Sequence, residues 1–211
     1  MHPAWIWLAA LAAWAAFSGW YWNWRGPLSK DEIDRGLAAL GGTGNHDEEV
    51  LATMRAFLEA DDGREFLMLN LLRLQPGLVT PPGGGQPMAA REMLESYSRP
   101  FLGALLRRAG HPAFIGPAAA GGYLEQWGVE KSPGWTAAAA IRYRSRRDLL
   151  AMATMPGFES IHAFKKTGLS NTLAFPVSPA RVVVGPVLAA PLGFALLAAL
   201  GHLALRALGG S

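Results

Sequence analysis

Asn70 sits in the run Glu65 to Arg73 (EFLMLNLLR), a single amide among aliphatic residues. Read as a strand, the run puts Asn70 on the same face as Phe66, Met68 and Leu72. A buried amide needs hydrogen-bond partners. It either bonds neighbouring backbone or lines a cavity, where it would orient a ligand carbonyl or an oxyanion. Tyr97 falls on the apolar side of the next helical segment, so its phenol either enters the same cavity or packs as an amphipathic core residue. His162 lies one turn after Phe158 and beside Ile161. It is a candidate general base or a structural imidazole, and no carboxylate partner is visible for it in the sequence.

Arg142, Arg144 and Arg146 alternate, with Arg147 adjacent, at a strand-to-helix junction. Facing a membrane, such a cationic edge would hold anionic headgroups; otherwise it is a solvated face. His2 and His202 lie near the ends of two apolar segments that would fall on the same side of a membrane, where paired axial ligation of a haem is conceivable. Both fall at an interface, and no metal or cofactor is expected. The chain has no cysteine, so disulfides, thiolate-ligated metals and thiol nucleophiles are excluded. The sequence also lacks the phosphate-binding, dinucleotide, zincin and nucleophile-elbow motifs. A formal charge of +3 from 19 basic and 16 acidic residues is too small a surplus for a nucleic-acid partner.

The elements that must position these residues begin with the distribution of charge. Only 17% of the 211 residues are charged and 51% are hydrophobic. Pro3 to Trp24 and Val182 to Leu205 contain no Asp, Glu, Lys or Arg, and each is long enough for a helix to cross the hydrocarbon core of a bilayer, roughly 30 Å. Trp5, Trp7, Trp20, Trp22 and Trp24 cluster at the two ends of the first segment as interfacial belts would. The competing reading is a secretory signal, which would want a basic residue before the apolar run. Pro186 and Pro191 predict that the second helix begins near the former and kinks near the latter. Gly185, Ala189 and Gly193 form a small-residue ridge, for which Ala9, Ala12, Ala13, Ala16 and Gly19 offer a partner surface. Arg25, Lys30, Arg35, Lys165, Lys166 and Arg181 flank the inner ends of the two spans. The positive-inside rule then predicts an inner-membrane protein with a cytoplasmic central domain and both termini outside.

Between the spans, roughly 22% of residues are charged, close to the roughly 25% of soluble domains. Ser29-x-x-Glu32 is a capping box opening a helix that Gly41-Gly42 ends, and Asn45 is placed to cap a second. The strand from Glu65 is followed by a Pro/Gly-rich loop, a helix over 88–109 carrying Pro100, a strand over 113–115 and 123–129 that Gly116 to Gly122 interrupts, and another strand at 135–143. Ser145 caps the next helix, a further helical segment spans 158–167, and a last strand at 172–177 carries Pro176, which places it at an edge. Strand, helix, strand, strand, helix, strand is the split βαβ, ferredoxin-like order. The predicted fold is therefore α+β, a ferredoxin-like domain at 64–179 with an antiparallel sheet and helices on one face. Helices over 25–63 precede it, and transmembrane helices over 3–24 and 182–205 enclose it.

Several residues also carry a resemblance. Phe66 to Arg73, Tyr97, Trp127, the block Tyr143 to Leu150, Met155-Pro156 and Ala174 to Val177 resemble an uncharacterised domain family of the dimeric α/β-barrel superfamily, which contains the antibiotic-biosynthesis-type monooxygenases. The resemblance covers roughly 64–179. It implies a homodimer formed through the open sheet face. It also implies that Trp127 lines the cavity, although a plain core position suits that residue equally. In a cofactor-independent oxygenase, Asn70 and Trp127 would orient and stabilise a substrate anion. The expected function is a membrane-anchored domain that binds a small apolar or amphipathic ligand or mediates assembly at the lipid bilayer. The alternatives are such a monooxygenase and an accessory subunit of a membrane complex.

Overall fold

A computed structural model describes residues 4–41, 48–178 and 186–209. In chain order its elements are α1 (Ala4–Tyr21), α2 (Lys30–Gly41), α3 (Glu48–Glu59), β1 (Phe66–Leu74), β2 (Leu78–Val79), β3 (Met88–Ala89), α4 (Ala90–Arg107), β4 (His111–Pro117), β5 (Ala137–Tyr143), α5 (Arg146–Ala153), α6 (Phe158–Gly168), β6 (Leu169–Val177) and α7 (Pro186–Gly209). Two compact units result, one from the terminal segments and one from Arg25–Ser178.

In the terminal unit, α1 packs on α7. Ile6 meets Gly201, where a β-carbon would lie in ordinary contact at 3.7 Å, and Trp7 Nε1 donates to His202 Nδ1 at 3.3 Å. The expected small-residue ridge does not make this contact. Ala9, Ala12, Ala13, Ala16 and Gly19 are exposed, and a β-carbon on Gly193 would have no neighbour within 4 Å. Ile6, Ala10, Trp14 and Phe17 are the shielded stripe instead. Gly185, Asn45 and His2 lie outside the described residues. Among the described residues one helix, α7 over Ala189–Ala207, is long and apolar enough to cross a membrane, where two were expected. The first helix stops at Tyr21 after 18 residues, about 27 Å at 1.5 Å per residue, and its indole and phenol groups lower its apolarity. Pro191 is accommodated inside α7, and Pro100 likewise lies within the single helix α4.

In the central unit, β4, β5, β1 and β6 form one sheet in that spatial order, with every neighbouring pair antiparallel. With α4 joining β1 to β4, and α5 and α6 joining β5 to β6, this is the ferredoxin-like arrangement. The edge position of β6 fits Pro176, whose missing N–H costs no ladder bond on the outer side. Between β1 and α4, β2 and β3 pair as a two-stranded ribbon where a loop was expected. The segment 118–135 contains no strand; the one expected over Tyr123–Val129 is absent, and its chain turns through Gly121, Gly122 and Gly128.

Alternation along β1 divides the sheet into two faces. Phe66, Met68, Asn70 and Leu72, paired with Tyr143, Ile141, Ala139 and Ala137, face the helices. Phe66 stacks on Tyr143 with ring centres 5.1 Å apart, and Tyr97, Phe101, Leu105 and Met152 complete that core. The opposite face carries Leu67, Leu69 and Leu71 on β1, Phe114 on β4, and Leu173 and Phe175 on β6. Phe114, Leu173 and Phe175 are exposed. A second apolar cluster, Ile33, Leu37, Leu40, Leu58 and Leu150, joins α2 and α3 to α5.

The capping box forms as the sequence predicts. Ser29 N–H donates to Glu32 Oε2 at 2.9 Å, and Glu32 N–H donates to Ser29 Oγ at 3.3 Å. Ser145 caps α5 by accepting from the Asp148 N–H at 3.2 Å. At the turn over Asp61-Asp62-Gly63, the Asp61 carboxylate accepts from Gly63 N–H and from Leu28 N–H, tying the start of the domain to the end of α3.

Candidate functional site

A cavity of about 270 Å³ lies between the helix-facing side of the sheet and helices α4, α5 and α6. Its walls are largely apolar: Met68 and Leu72 from β1, Ile141 from β5, Leu94 and Phe101 from α4, and Phe158 from α6. Asn70, Tyr97, Ser98, Tyr143, His162 and Lys165 supply its polar groups. The volume is close to the lower end of the roughly 300–1,000 Å³ of small-molecule sites, and an apolar wall with a few convergent polar groups is their usual lining.

Asn70, Tyr97 and His162 therefore share one cavity. Asn70 Nδ2 donates to Met68 O at 2.9 Å, a bond along its own strand that fixes the amide plane. Asn70 thus bonds neighbouring backbone and also lines the cavity. The Asn70 side-chain oxygen has no protein donor among the described residues. The Tyr97 ring stacks on Phe101 at 5.1 Å and meets His162 at 6.1 Å. The His162 ring stacks on Phe158 at 5.2 Å. Burial pushes the Tyr97 phenol above its ordinary ionisation range, and burial followed by the neighbouring Tyr97 does the same to Tyr143. Both phenols are thereby held in the protonated form.

Tyr143 and Lys165 are site residues that the sequence reading did not assign to the cavity. Phe158, His162 and Lys165, spaced four and three apart on α6, line one helical face, which is the signal that could have placed Lys165 there. Its ammonium lies 5.7 Å from the centre of the Tyr97 ring, and burial lowers its pKa.

Trp127 is a correction. It lies in the irregular segment 118–135, is 76% exposed and does not line the cavity. Without the expected strand, nothing carries the indole toward the sheet's inner face.

The four arginines read as candidate headgroup contacts all have partners within the domain. Arg142, 4% exposed, pairs with Glu65 at 2.5 Å and donates to Ala109 O at 2.5 Å. Arg144 holds Asp148 by one edge of its guanidinium, Nε donating to Oδ2 at 2.9 Å and Nη2 to Oδ1 at 2.8 Å. Arg146, also buried, lies over the Phe57 ring at 4.4 Å, donates to Phe57 O and pairs with Asp61 at 3.6 Å. Arg147 donates to Gly26 O, Pro27 O and both Glu32 oxygens. Guanidiniums occupied by carboxylates and carbonyls offer few donors to a headgroup.

No described group of His, Cys, Asp and Glu side chains has the makings of a metal site. His202 Nδ1 is engaged by Trp7, and its expected counterpart His2 is outside the described residues.

No family model matches the chain, and no curated protein matches it. Among solved structures, the chain is similar to the methylated RPA0582 protein, with a TM-score of 0.52 and 20% identity over 66% of this chain and 96% of that one. It is also similar to the RPA0582 protein of unknown function from Rhodopseudomonas palustris, with a TM-score of 0.51 and 19% identity over 65% and 97% of the two chains. A dimeric protein of unknown function and ferredoxin-like fold from Bacteroides fragilis matches at a TM-score of 0.28 and 12% identity, over 54% and 95% of the chains. At these identities the RPA0582 similarity concerns the fold alone.

Proposed function

We propose that the protein is membrane-anchored and that its ferredoxin-like domain binds a small apolar or amphipathic molecule. The observation carrying this reading is the cavity of about 270 Å³, into which Asn70, Tyr97 and His162 bring polar groups through otherwise apolar walls. Anchoring rests on the apolar helix α7 and on the charge-free first segment. Inner-membrane placement with the domain cytoplasmic rests on the basic residues flanking the inner ends of the two apolar segments. A reporter fused to the C-terminus that reads as cytoplasmic would overturn that orientation.

The cavity reading is tested by native mass spectrometry of the full chain released from lipid discs. A small molecule retained by the wild type, and lost from an Ala174→Phe variant that fills the cavity wall, supports it. If Asn70→Ala, Tyr97→Phe and Ala174→Phe all bind every screened apolar compound as the wild type does, the site is wrong. The oxygenase reading loses support, because Trp127 does not stand beside Asn70.

A second copy is proposed to cover the open sheet face. Leu69, Leu71, Phe114, Leu173 and Phe175, with Ala138 and Ala140 of β5 lying between Phe114 and the β1 leucines, form an apolar surface across the four strands, and such a face meets an identical face through a twofold axis without needing a different partner.

A further inference from the structure

We propose that the cavity selects anionic amphiphiles, with Lys165 as the countercharge to a single carboxylate-type head group; this rests on the ligand-binding reading above. The polar lining consists of Asn70, Tyr97, Ser98, Tyr143, His162 and Lys165, and no Asp or Glu is among the described residues that line it. Lys165 is half-buried, and no ion pair or hydrogen bond to it occurs among the described residues. Its ammonium lies over the face of the Tyr97 ring, 5.7 Å from the ring centre. An ammonium withdrawn from water without a carboxylate is costly, and a bound anion removes that cost.

The remaining groups reinforce the preference. Tyr97 and Tyr143 have hydroxyls with no protein partner among the described residues, and burial keeps both protonated. They are donors to an oxyanion and cannot serve as bases. Asn70 uses one amide proton on Met68 O, which leaves its second proton for the ligand. A cationic ligand would meet Lys165 with no carboxylate to hold it, and a neutral one would leave Lys165 unpaired. The aromatic and aliphatic walls formed by Leu94, Phe101 and Phe158 take the apolar body.

The test compares matched probes that share an apolar body: octanoate, octanol and octylammonium, and 2-naphthoate with 2-naphthalenemethanol. Binding is measured calorimetrically to the full chain in discs of zwitterionic lipid, with empty discs as the blank. The carboxylates are expected to bind about tenfold more tightly than the matched alcohols, the size of one charge-assisted hydrogen bond, and octylammonium more weakly than either. Lys165→Met should abolish that preference, so that carboxylates and matched alcohols bind with equal affinity, and Lys165→Arg should keep it. Carboxylates and alcohols that bind equally, or a Lys165→Met variant that still prefers carboxylates, overturn the inference and leave the cavity reading intact. Loss of alcohol binding along with carboxylate binding in Lys165→Met would make Lys165 structural and likewise overturn it. Failure of every probe to bind the wild type overturns the cavity reading itself.

Discussion

Arg147 and Glu32, 115 residues apart in the chain, meet through two hydrogen bonds, Nε to Oε1 at 2.9 Å and Nη2 to Oε2 at 3.1 Å. The same carboxylate closes the capping box of α2, so one side chain both starts a helix and fastens it to α5. The Arg147 hydrogen bond, with help from Ser29, holds the Glu32 carboxyl at a pKa of about 2 against an ordinary 4.5.

A depressed folded-state pKa contributes stability that is present above the unfolded value and is lost as pH falls toward the folded one. Glu32→Gln should therefore lower the unfolding free energy by about 1 kcal/mol at neutral pH. The difference from wild type should shrink between pH 4.5 and about 2. Denaturant unfolding of both proteins across that range checks it, and a difference that does not vary with pH would exclude the linkage.

Gly36 tests how closely α2 approaches α5. A β-carbon there would lie 2.3 Å from Leu150 Cδ2 and 2.7 Å from its Cγ. Alanine in a helix gains about 1 kcal/mol over glycine, whereas overpacking a core costs about 1–3 kcal/mol. Gly36→Ala should therefore destabilise by about 1 kcal/mol net. Leu150→Ala would open the space, so the double variant should be more stable than the sum of the two single losses implies. Simple additivity in that cycle would show that the two helices do not touch here.

The two cavity phenols should be silent in an alkaline titration. Burial raises the pKa of both Tyr97 and Tyr143. Tyr97→Phe and Tyr143→Phe should leave unchanged the tyrosinate absorbance gained between about pH 8 and 11, where an unperturbed phenol ionises. A drop in that signal in either variant would place the corresponding hydroxyl in water.

The open sheet face predicts self-association. Phe175 is exposed on edge strand β6 and faces the same way as Leu69. Phe175→Glu puts a charge on that face without touching the cavity lining. It should shift the full chain from dimer to monomer, read by sedimentation in detergent with the detergent mass matched out. A monomeric wild type would remove the second copy from the account.

The legible parts of this molecule depend on short-range regularities. The period of two in EFLMLNLLR correctly placed Asn70 with Phe66 and Met68, because alternation is a property of any extended strand. The capping box at Ser29, the Ser145 cap and the edge strand carrying Pro176 could be read for the same reason: each is set within three or four residues of backbone. Trp127 was misplaced because a short apolar run mimics a strand when no neighbour is available to pair with it. The absence of charge pointed to two spanning helices where the described residues hold one long and apolar enough, since indoles are uncharged without being fully apolar.

By itself the sequence determined the ferredoxin-like order of the main strands and helices, the inward face of β1, the Ser29 and Ser145 caps, and the concentration of charge between two apolar ends. Only tertiary structure decided that Arg147 is spent on Glu32 and Arg142 on Glu65, which is 77 residues away. It alone brought Lys165 and Tyr143 to the cavity that holds Asn70 and Tyr97, and left Trp127 in solvent. Local backbone preferences act over a turn or a strand and leave a pattern in consecutive residues. A salt bridge or a cavity wall depends on which distant segments pack together, and that choice is made by burying the whole apolar surface at once.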